Sequence, residues 1–342
     1  MNSFKRTYGM FACLGLVLLL GCHHKSEPVI LTVNGPVPVS EMGITLSHEH
    51  VLVDFIGADS TGYHRWNRQE VIEKVAPYLL EIQEYNVSTL IECTPAFLGR
   101  DPWLLKELSR QTGMNLLTNT GYYGAHDNLY LPQHFYDKSA GEIAQIWVQE
   151  FEQGIEGSGV RPGFIKIAVG ESDTLSREHV KIITAAAIAH KQTGLVIASH
   201  TGPDGPAFAQ LRVLQSHGVD PSSFIWVHAQ HGTLEGNIRA AEMGAWISLD
   251  NVNTNRQAGS MYDIQWYAKR ILEMKEAGYL DHVLISHDAG WYDPDQEDGG
   301  PFRGYTGIFT NLLPALKSTG LTSEDIDKLL KVNPANAFKL RK

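Results

Sequence analysis

Two histidines separated by a single residue follow the first apolar stretch of the chain that suits a β-strand. His48 and His50 flank Glu49 in the run Leu46-Ser47-His48-Glu49-His50. Alternate side chains of a strand point to the same side, so the two imidazoles converge while Glu49 faces away. Imidazole nitrogens are ligands that zinc prefers. The pair therefore predicts part of a metal site, with an accidental surface pair as the alternative.

Three later apolar runs also end in a residue that can bind a metal ion. His200 follows Ile197-Ala198-Ser199, His228 follows Trp226-Val227, and Asp288 follows Ile285-Ser286-His287. The carboxyl ends of the strands of a parallel barrel meet at one mouth, where active sites lie. Each of these residues alone could cap a helix or fill the core. Together with the histidine pair, they predict one shared metal site.

Lys166 lies within the apolar run Gly163-Phe164-Ile165-Lys166-Ile167-Ala168-Val169. An unpaired ammonium group is costly to bury in a barrel strand, so burial lowers the lysine pKa and favours the nucleophilic neutral amine. Such an amine can take up carbon dioxide to form a carbamate (N6-carboxylysine), a bidentate anion that can bridge two divalent ions. The alternative is a lysine that reaches out of the barrel end or pairs with Glu92.

Eight short apolar runs, each a candidate strand, precede the segments with helical patterns. The predicted strands are Ile44–Ser47, Val87–Glu92, Asn115–Asn119, Gly163–Ala168, Leu195–Ser199, Phe224–Val227, Ala245–Leu249 and Val283–Ser286. The predicted helices are Arg68–Tyr85, Pro102–Gln111, Ala140–Gly154, Ser176–Gln192, Gly205–Ser216, Leu234–Glu242, Met261–Glu276 and Ser323–Lys331.

Strands that alternate with helices predict the α/β class, with a parallel sheet and right-handed crossovers. Eight such units favour a closed (β/α)8 TIM barrel. An open doubly wound sheet is the alternative, although no glycine-rich phosphate loop opens the first helix. Residues 29–39, with Asn34-Gly35 at their middle, predict an N-terminal β-hairpin packed on one end of the barrel.

The first 21 residues predict a lipoprotein signal peptide. Lys5 and Arg6 precede an apolar run, residues 10–20, which is too short to span a bilayer. The ending LLGC, residues 19–22, resembles the bacterial lipobox, which implies cleavage before Cys22 and its lipidation. An ordinary secretory signal is the alternative. We therefore expect an exported protein on the periplasmic or cell-surface side, held to the membrane only through its lipid.

The remaining sequence divides into a short tether, residues 22–28, and one barrel domain, residues 29–342. The chain of 342 residues has 28 Lys and Arg against 38 Asp and Glu, and 43% of it is hydrophobic. This balance argues against a wholly disordered chain and against a nucleic-acid binder. With Cys13 in the signal peptide and Cys22 lipidated, Cys93 has no partner, so no disulfide framework is expected.

The candidate ligands, taken in order, resemble those of the phosphotriesterase-like branch of the amidohydrolase superfamily. The segments Thr120-Gly121-Tyr122-Tyr123 and Asn333-Pro334-Ala335-Asn336 are also similar to that family, and the resemblance extends over nearly the whole mature chain. It implies two divalent ions, zinc first, with manganese, cobalt or iron as alternatives. The buried ion would be held by His48, His50 and Asp288, the more exposed ion by His200 and His228, and carboxylated Lys166 would bridge them.

The resemblance further implies a binuclear metal-dependent hydrolase that uses a metal-bridging hydroxide, with Asp288 as the catalytic proton acceptor. Tyr123 and Trp291 are candidate substrate-binding residues, and Tyr123 resembles a position where lactone-cleaving relatives carry an aromatic residue. We therefore predict cleavage of lactones or other carboxylic esters. Phosphotriester cleavage is the first alternative. A single-metal deaminase or nuclease-like relative, and a non-enzymatic small-molecule-binding lipoprotein, are the others.

The sequence departs from some relatives directly after His228. Gln230 and His231 occupy positions at which acidic residues are frequent in relatives, and we assign them no role from the sequence. Arg256 and Arg303 are predicted to be solvated surface residues. A homodimer would fit the resemblance, although no sequence feature indicates one.

Overall fold

The computed structural model of the protein describes Met1, Lys5, Thr7 and residues 27–341. Cys22 and most of the predicted signal peptide therefore lie outside the described residues. Within the described part of the chain, no helix combines the length and the apolar character needed to span a membrane.

The strands are short and nearly all buried. They are β1 (Val29–Thr32), β2 (Gly35–Pro38), β3 (Ile44–Glu49), β4 (Val87–Glu92), β5 (Asn115–Leu117), β6 (Asn119–Thr120), β7 (Phe164–Ala168), β8 (Ile197–His200), β9 (Phe224–Val227), β10 (Trp246–Leu249) and β11 (Val283–Ile285). The predicted hairpin is present, since β1 and β2 pair antiparallel.

Helices alternate with these strands. They are α1 (Arg68–Gln83), α2 (Pro102–Thr112), α3 (Gln133–Asp137), α4 (Ala140–Gln153), α5 (Arg177–Thr193), α6 (Asp204–Ser216), α7 (Leu234–Glu242), α8 (Ile264–Glu276), α9 (Leu313–Ser318), α10 (Ser323–Asp327) and α11 (Asn333–Phe338). Short 3₁₀ segments include Ala229–His231, and π-helical turns occupy Ile308–Leu312 and Lys328–Val332.

All pairs between neighbouring strands from β3 to β11 are parallel. The order is β3-β4-β5 in one sheet and β6 through β11 in the other. The predicted third strand is interrupted at Thr118, between β5 and β6. The predicted α/β class with a parallel sheet is confirmed. The hydrogen bonds between strand backbones leave two separate sheets and do not by themselves close the strands into a ring.

Side chains join the first and last strands of this parallel set. The Ser47 hydroxyl donates to the carbonyl oxygen of Ile285 at 3.2 Å, and the His48 amide donates to the Ser286 hydroxyl at 2.9 Å. We call this junction between β3 and β11 the seam. It brings the residues after His48 beside those after Ser286.

The buried carboxylate of Glu49, on β3, accepts hydrogen bonds from the residues that follow β11 across the seam. Its Oε1 accepts hydrogen bonds from the Ser286 hydroxyl at 2.7 Å and the His287 amide at 2.9 Å, and its Oε2 accepts from the Ala289 amide at 2.9 Å. Burial opposes ionisation, but the His287 imidazole and the hydrogen bonds from Ser286 and Ala289 together outweigh it and hold the pKa of Glu49 below its usual value. The residue that faces away from the cavity thus fixes the loop that carries Asp288.

Local signals explain where most helices begin. The Asp101 side chain accepts from two backbone amides at the start of α2, with Pro102 next, and the Ser176 hydroxyl caps α5. The helix predicted from Met261 instead begins at Ile264, because Asp263 caps it by accepting from the Trp266 amide.

The predicted final helix is not continuous. The predicted range, Ser323–Lys331, is covered by α10 and most of a π-helical turn, and α11 lies beyond it. Each π-helical turn ends two residues before a proline, Pro314 or Pro334. Proline has no amide proton to donate to the carbonyl four residues earlier, so the regular hydrogen-bond pattern cannot run through that turn.

Candidate metal centre

The predicted ligands from the two ends of the parallel set meet in the structure. Ligand atoms of His48, His50 and Asp288 all lie within 4.8 Å of one another. Asp288 Oδ1 is 3.1 Å from His50 Nε2 and 3.6 Å from His48 Nε2. The seam produces this arrangement, because β3 carries both histidines and Asp288 follows β11.

The other two predicted histidines lie beside this group. His228 Nε2 and His200 Nδ1 are 2.8 Å apart, and the ring centroids of His48 and His228 are separated by 5.2 Å. His200 ends β8 and His228 follows β9, so neighbouring strands supply them. The four imidazoles therefore line a single cavity, as the pattern of strand ends predicted.

Lys166 of β7 lines the same cavity and is only 1% exposed. The alternative of a lysine that reaches out of the barrel end is therefore wrong, and the described residues contain no ion pair between it and Glu92. Burial lowers the pKa of Lys166. Gly121, directly after β6, allows the backbone there to approach β7 closely, because a Cβ at that position would lie 2.0 Å from the Lys166 carbonyl oxygen.

Asp250 is a functional residue that the sequence analysis missed. Its carboxylate is fully buried and lies 3.0 Å from His48 Nδ1 and 2.7 Å from His228 Nδ1, and it accepts from the Ser248 hydroxyl at 2.7 Å. Burial opposes its charge, but the two histidines keep the pKa of Asp250 well below its usual value. With the Nδ1 protons directed at this carboxylate, both Nε2 atoms are available as ligands.

Thr94 does for His50 what Asp250 does for the other two imidazoles. The Thr94 hydroxyl donates to the carbonyl oxygen of Leu52 at 3.0 Å, so it accepts from His50 Nδ1 at 2.8 Å. Burial first, and then the charge of Lys166, lower the pKa of His50 to about 3. His50 is therefore neutral near pH 7, the form that binds a metal ion.

Arg303 was wrongly predicted to be a solvated surface residue. Its guanidinium donates to the carbonyl oxygens of both His287 and Asp288. Asp288 has a φ of +51°, in the left-handed region, and its amide donates to the carbonyl oxygen of His48 at 3.1 Å. Arg303 thus holds the backbone of a candidate ligand in a strained conformation. Burial raises the pKa of Asp288.

The predicted substrate-binding residues both line a cavity of about 140 Å³. The Tyr123 hydroxyl is 3.1 Å from His200 Nδ1. Trp291 is 40% exposed, and its ring centroid lies 6.1 Å from that of His50 and 5.9 Å from that of Phe55. Tyr123 therefore lies close to the imidazoles, whereas Trp291 forms part of the rim.

The two residues that the sequence left without a role lie next to His228. Gln230 is buried, and its side-chain oxygen accepts from the Asp250 amide at 3.3 Å. The His231 ring is stacked between those of His228 and Tyr262, at centroid distances of 6.2 and 5.2 Å. Arg256, predicted to be solvated, is half-buried with its guanidinium 5.8 Å from the centre of the Tyr262 ring.

The donor set fits divalent metal ions. Four imidazoles and one carboxylate converge with a buried amine, and buried partners orient three of the imidazoles. Nitrogen and carboxylate ligands of this kind suit zinc, and they also accept manganese, cobalt or iron. The sequence could have indicated Asp250, because it directly follows the seventh predicted strand, as His228 follows the sixth.

Comparisons with known proteins agree in the family to which they point. A family model described as the phosphotriesterase family matches residues 28–338. The phosphotriesterase homology protein of Escherichia coli is 30% identical over 299 residues, which cover 87% of this chain and 98% of that protein. The aryldialkylphosphatase of Saccharolobus solfataricus is 29% identical, with 87% and 95% covered, and the N-acetyltaurine hydrolase of Rattus norvegicus is 27% identical, with 89% and 96% covered.

Solved structures extend the similarity to the fold. The Escherichia coli phosphotriesterase homology protein, solved with phosphate in its active site, matches with a TM-score of 0.75 at 28% identity, covering 87% of this chain and 99% of that one. A double mutant of the organophosphorus hydrolase from Deinococcus radiodurans matches with a TM-score of 0.81 at 25% identity, covering 92% and 98%.

Proposed function

The chain belongs to the phosphotriesterase family, and from that membership we propose that it is a metal-dependent hydrolase of lactones or other carboxylic esters. The observation that carries the proposal is the convergence of His48, His50 and Asp288 in a small cavity with Tyr123 on its wall. Relatives named as an aryldialkylphosphatase and as N-acetyltaurine hydrolases support the broader assignment to hydrolases.

We assign the predicted residues to two divalent ions. His48, His50 and Asp288 would hold one ion, and His200 and His228 the other. Lys166 would link the two after its neutral amine adds to carbon dioxide, which forms an N–C bond, releases one proton and leaves a carbamate. Bound divalent ions lower the pKa of a water molecule and polarise the oxygen of the bond to be cleaved.

The chain's own groups perform the remaining tasks. Asp288 accepts a proton at its carboxylate from the attacking water. The Tyr123 hydroxyl, which burial keeps protonated by raising its pKa, can donate a hydrogen bond to the substrate oxygen near His200. Arg303 keeps the Asp288 backbone in place during this proton transfer.

The cavity favours a small and uncharged substrate. Its walls outside the ligand group are mostly apolar, formed by Val53, Phe55, Pro95, Leu98 and Trp291. Its volume of about 140 Å³ is smaller than the pockets that hold drug-sized ligands, which typically exceed about 300 Å³. A lactone or a short acyl ester meets both conditions.

Phosphotriester cleavage is the second candidate function. The aryldialkylphosphatase of Saccharolobus solfataricus supports it, being 29% identical to this chain over 307 residues. A tetrahedral phosphotriester and a flat carbonyl ester each present one polarisable oxygen to the same ligand group, so the ligands themselves do not distinguish them.

A substrate panel tests the proposed function. The purified protein, with its metal content measured, is assayed against lactones, para-nitrophenyl esters, organophosphate triesters and N-acetyl amides of matched size. We expect the highest kcat/KM for a lactone or carboxylic ester. A metal-loaded protein that cleaves only triesters or only amides contradicts the ester proposal, and one that cleaves nothing contradicts hydrolase activity.

We also propose that the protein is exported and anchored by a lipid on Cys22. The basic start of the chain, the short apolar run and the LLGC ending support this location. On this proposal the membrane contact is through the lipid alone.

A further inference from the structure

The outer wall of the cavity contains one polar side chain that the proposed chemistry does not use. Among the lining residues outside the ligand group, Cys93, Tyr123, His126 and Trp291 carry hydrogen-bonding side chains, and Trp291 is already a candidate substrate-binding residue at the rim. Cys93 is buried beside the ligands, and the Tyr123 hydroxyl is paired with His200. His126 is exposed and lies after β6, on the loop that forms the mouth.

The backbone that carries His126 is strained. His126, Asp127 and Asn128 have φ values of +51°, +53° and +65°, so three successive residues with side chains adopt the left-handed conformation. Such a conformation is unfavourable for residues with side chains, although less so for His, Asp and Asn, and surrounding contacts help to maintain it. Strain of this kind concentrates at ligand-binding sites.

The contacts that enforce the strained turn lie at both of its ends. The Gly124 amide donates to the carbonyl oxygen of Ala168 at 3.1 Å, which ties the start of the loop to β7. The Leu131 amide donates to the carbonyl oxygen of Asn128 at 3.0 Å, and the Ala58 amide donates to the carbonyl oxygen of Leu129 at 3.0 Å. The turn therefore has fixed points on a barrel strand and on the loop after β3.

The His126 ring packs against two aromatic rings. The ring is nearly parallel to that of Tyr123, with an interplanar angle of 10° and centroids 6.1 Å apart, and its edge faces Tyr130. No group within residues 27–341 forms a hydrogen bond with the His126 imidazole. An exposed imidazole without an internal partner, beside a mostly apolar wall, is free to hydrogen-bond a ligand.

We infer that His126 is a specificity-determining residue that hydrogen-bonds an acceptor oxygen on the part of the substrate away from the bond being cleaved. The centroid of the Tyr123 ring lies 6.1 Å from that of His126 and 5.1 Å from that of His200. The acceptor oxygen of the substrate is therefore separated from the ligand group by about the width of the Tyr123 ring. This inference rests on the proposed ester hydrolysis. It narrows the substrate class to esters or lactones with an oxygen-bearing acyl arm.

The test compares two para-nitrophenyl esters of equal chain length. One has a plain alkyl acyl chain, and the other carries a keto oxygen in place of a methylene group. We expect wild-type protein to prefer the keto ester, and His126→Phe to lower kcat/KM for that ester about 3- to 10-fold, chiefly through KM. The alkyl ester should change less than about twofold, because it makes no such bond.

Two further variants separate recognition from folding. His126→Asn suits the left-handed backbone, so it should fold normally while its shorter side chain loses the same preference. Leu129→Ala, on the same loop, should keep the wild-type ratio between the two esters. Thermal unfolding of each variant shows whether the loop has been disrupted.

The possible failures are distinguishable. If wild-type protein cleaves both esters and the ratio of their kcat/KM values is unchanged in both His126 variants, the inference about His126 is wrong while the proposed function stands. An equal loss for both esters also contradicts it. If metal-loaded wild-type protein cleaves neither ester nor any lactone, the proposed function fails and the inference fails with it.

Discussion

At the scale of single residues, the candidate centre depends on buried groups of opposite charge that surround the imidazoles. Burial, and then the charge of Lys166, lower the pKa of His50, whereas Asp250 accepts hydrogen bonds from His48 and His228. The imidazoles thus keep fixed orientations and expose their Nε2 atoms. Carboxylation of Lys166 would replace a buried amine with a negative charge at the place where divalent ions would bind.

Replacement of Lys166 tests the bridging role. We expect Lys166→Ala to lose at least one of two bound ions per chain and more than about 100-fold in kcat/KM, because the only other carboxylate assigned to the ligand group, Asp288, is already assigned to one of the ions. Metal analysis together with steady-state kinetics measures both effects. Lys269→Ala, at an exposed position on α8, is the control. Two retained ions and unchanged activity would favour a site that does not need the lysine.

Replacement of Asp250 tests the orienting role. Asp250→Asn keeps the shape of the side chain but removes the charge that holds two imidazoles, so metal affinity should fall about 10- to 100-fold. Competition with a chelator measures the affinity. Ser248→Ala removes one hydrogen bond to Asp250 while leaving its carboxylate, and should have a much smaller effect. Equal affinities in wild-type protein and Asp250→Asn would show that Asp250 does not act on the metal site.

The residues that the sequence could indicate differ in kind from those that it could not. Histidines at the ends of apolar runs stand out, because few such runs end in an imidazole. Thr94 and Arg303 carry no such mark, since their contacts with His50 and Asp288 depend on distant backbone positions. Only the folded chain shows which threonine or arginine reaches a ligand.

At the scale of elements, β4 ends in an unusual carboxyl group. Glu92 is buried, and its Oε1 accepts from the amides of Val51 and Thr94, at 3.3 Å each. Within the described residues its Oε2 has no hydrogen-bond partner. Burial raises the pKa of Glu92 to about 8, so the side chain is mostly neutral at pH 7.

The free energy of unfolding should therefore fall as the pH rises from 4.5 to about 8, because Glu92 is protonated in the folded state over this range. The folded state binds this proton up to about pH 8, whereas the unfolded state releases it near 4.5, so the free energy of unfolding decreases between those values. The Glu92→Gln side chain is neutral at every pH, so the free energy of unfolding of this variant should depend less steeply on pH. The two slopes should differ by at most about 1.4 kcal/mol per pH unit. Urea unfolding at pH 5 and pH 8 measures the difference.

The control for this prediction is Glu84→Gln, at the exposed end of α1. It should follow the wild-type profile at both pH values. If the Glu92→Gln curve also runs parallel to that of wild-type protein, Glu92 is ionised in the folded state and the assignment of a neutral carboxyl is wrong.

Most elements were predictable, because apolar periodicity and caps are local properties of the sequence. Asp101 and Ser176 begin their helices as expected. The start of α8 was missed because the apolar Met261 was counted into the helix, although Asp263 provides the cap. The π-helical turns before Pro314 and Pro334 were missed, because a period of 3.6 residues does not describe them.

At the scale of the whole molecule, eight strand-and-helix units predicted the α/β fold without any knowledge of its contacts. The interruption at Thr118 and the side-chain seam could not be predicted, because both depend on how the strands fit around one another. The predicted segments at the start of the chain stay predictions.

Anchoring by Cys22 can be tested in cells. We expect Cys22→Ser to prevent lipid attachment, so the protein should move from the membrane fraction to the unanchored exported fraction or accumulate with its signal uncut. Cys13→Ser, within the same predicted signal, should remain in the membrane fraction. Fractionation and the mass of the mature chain measure both. A Cys22→Ser protein that stays lipidated or membrane-bound contradicts the anchor.

The Glu49 carboxylate has a consequence for the order in which the protein assembles. Its partners lie at residues 286–289, so a chain still emerging from the ribosome or from an export channel lacks them until nearly all of it has passed. Until then Glu49 would be an uncompensated acid in the barrel wall, which disfavours early closure. His48 and His50 meet Asp288 through the same closure, so metal capture at this group would be one of the last steps of maturation and would take place in the compartment where the protein finishes folding.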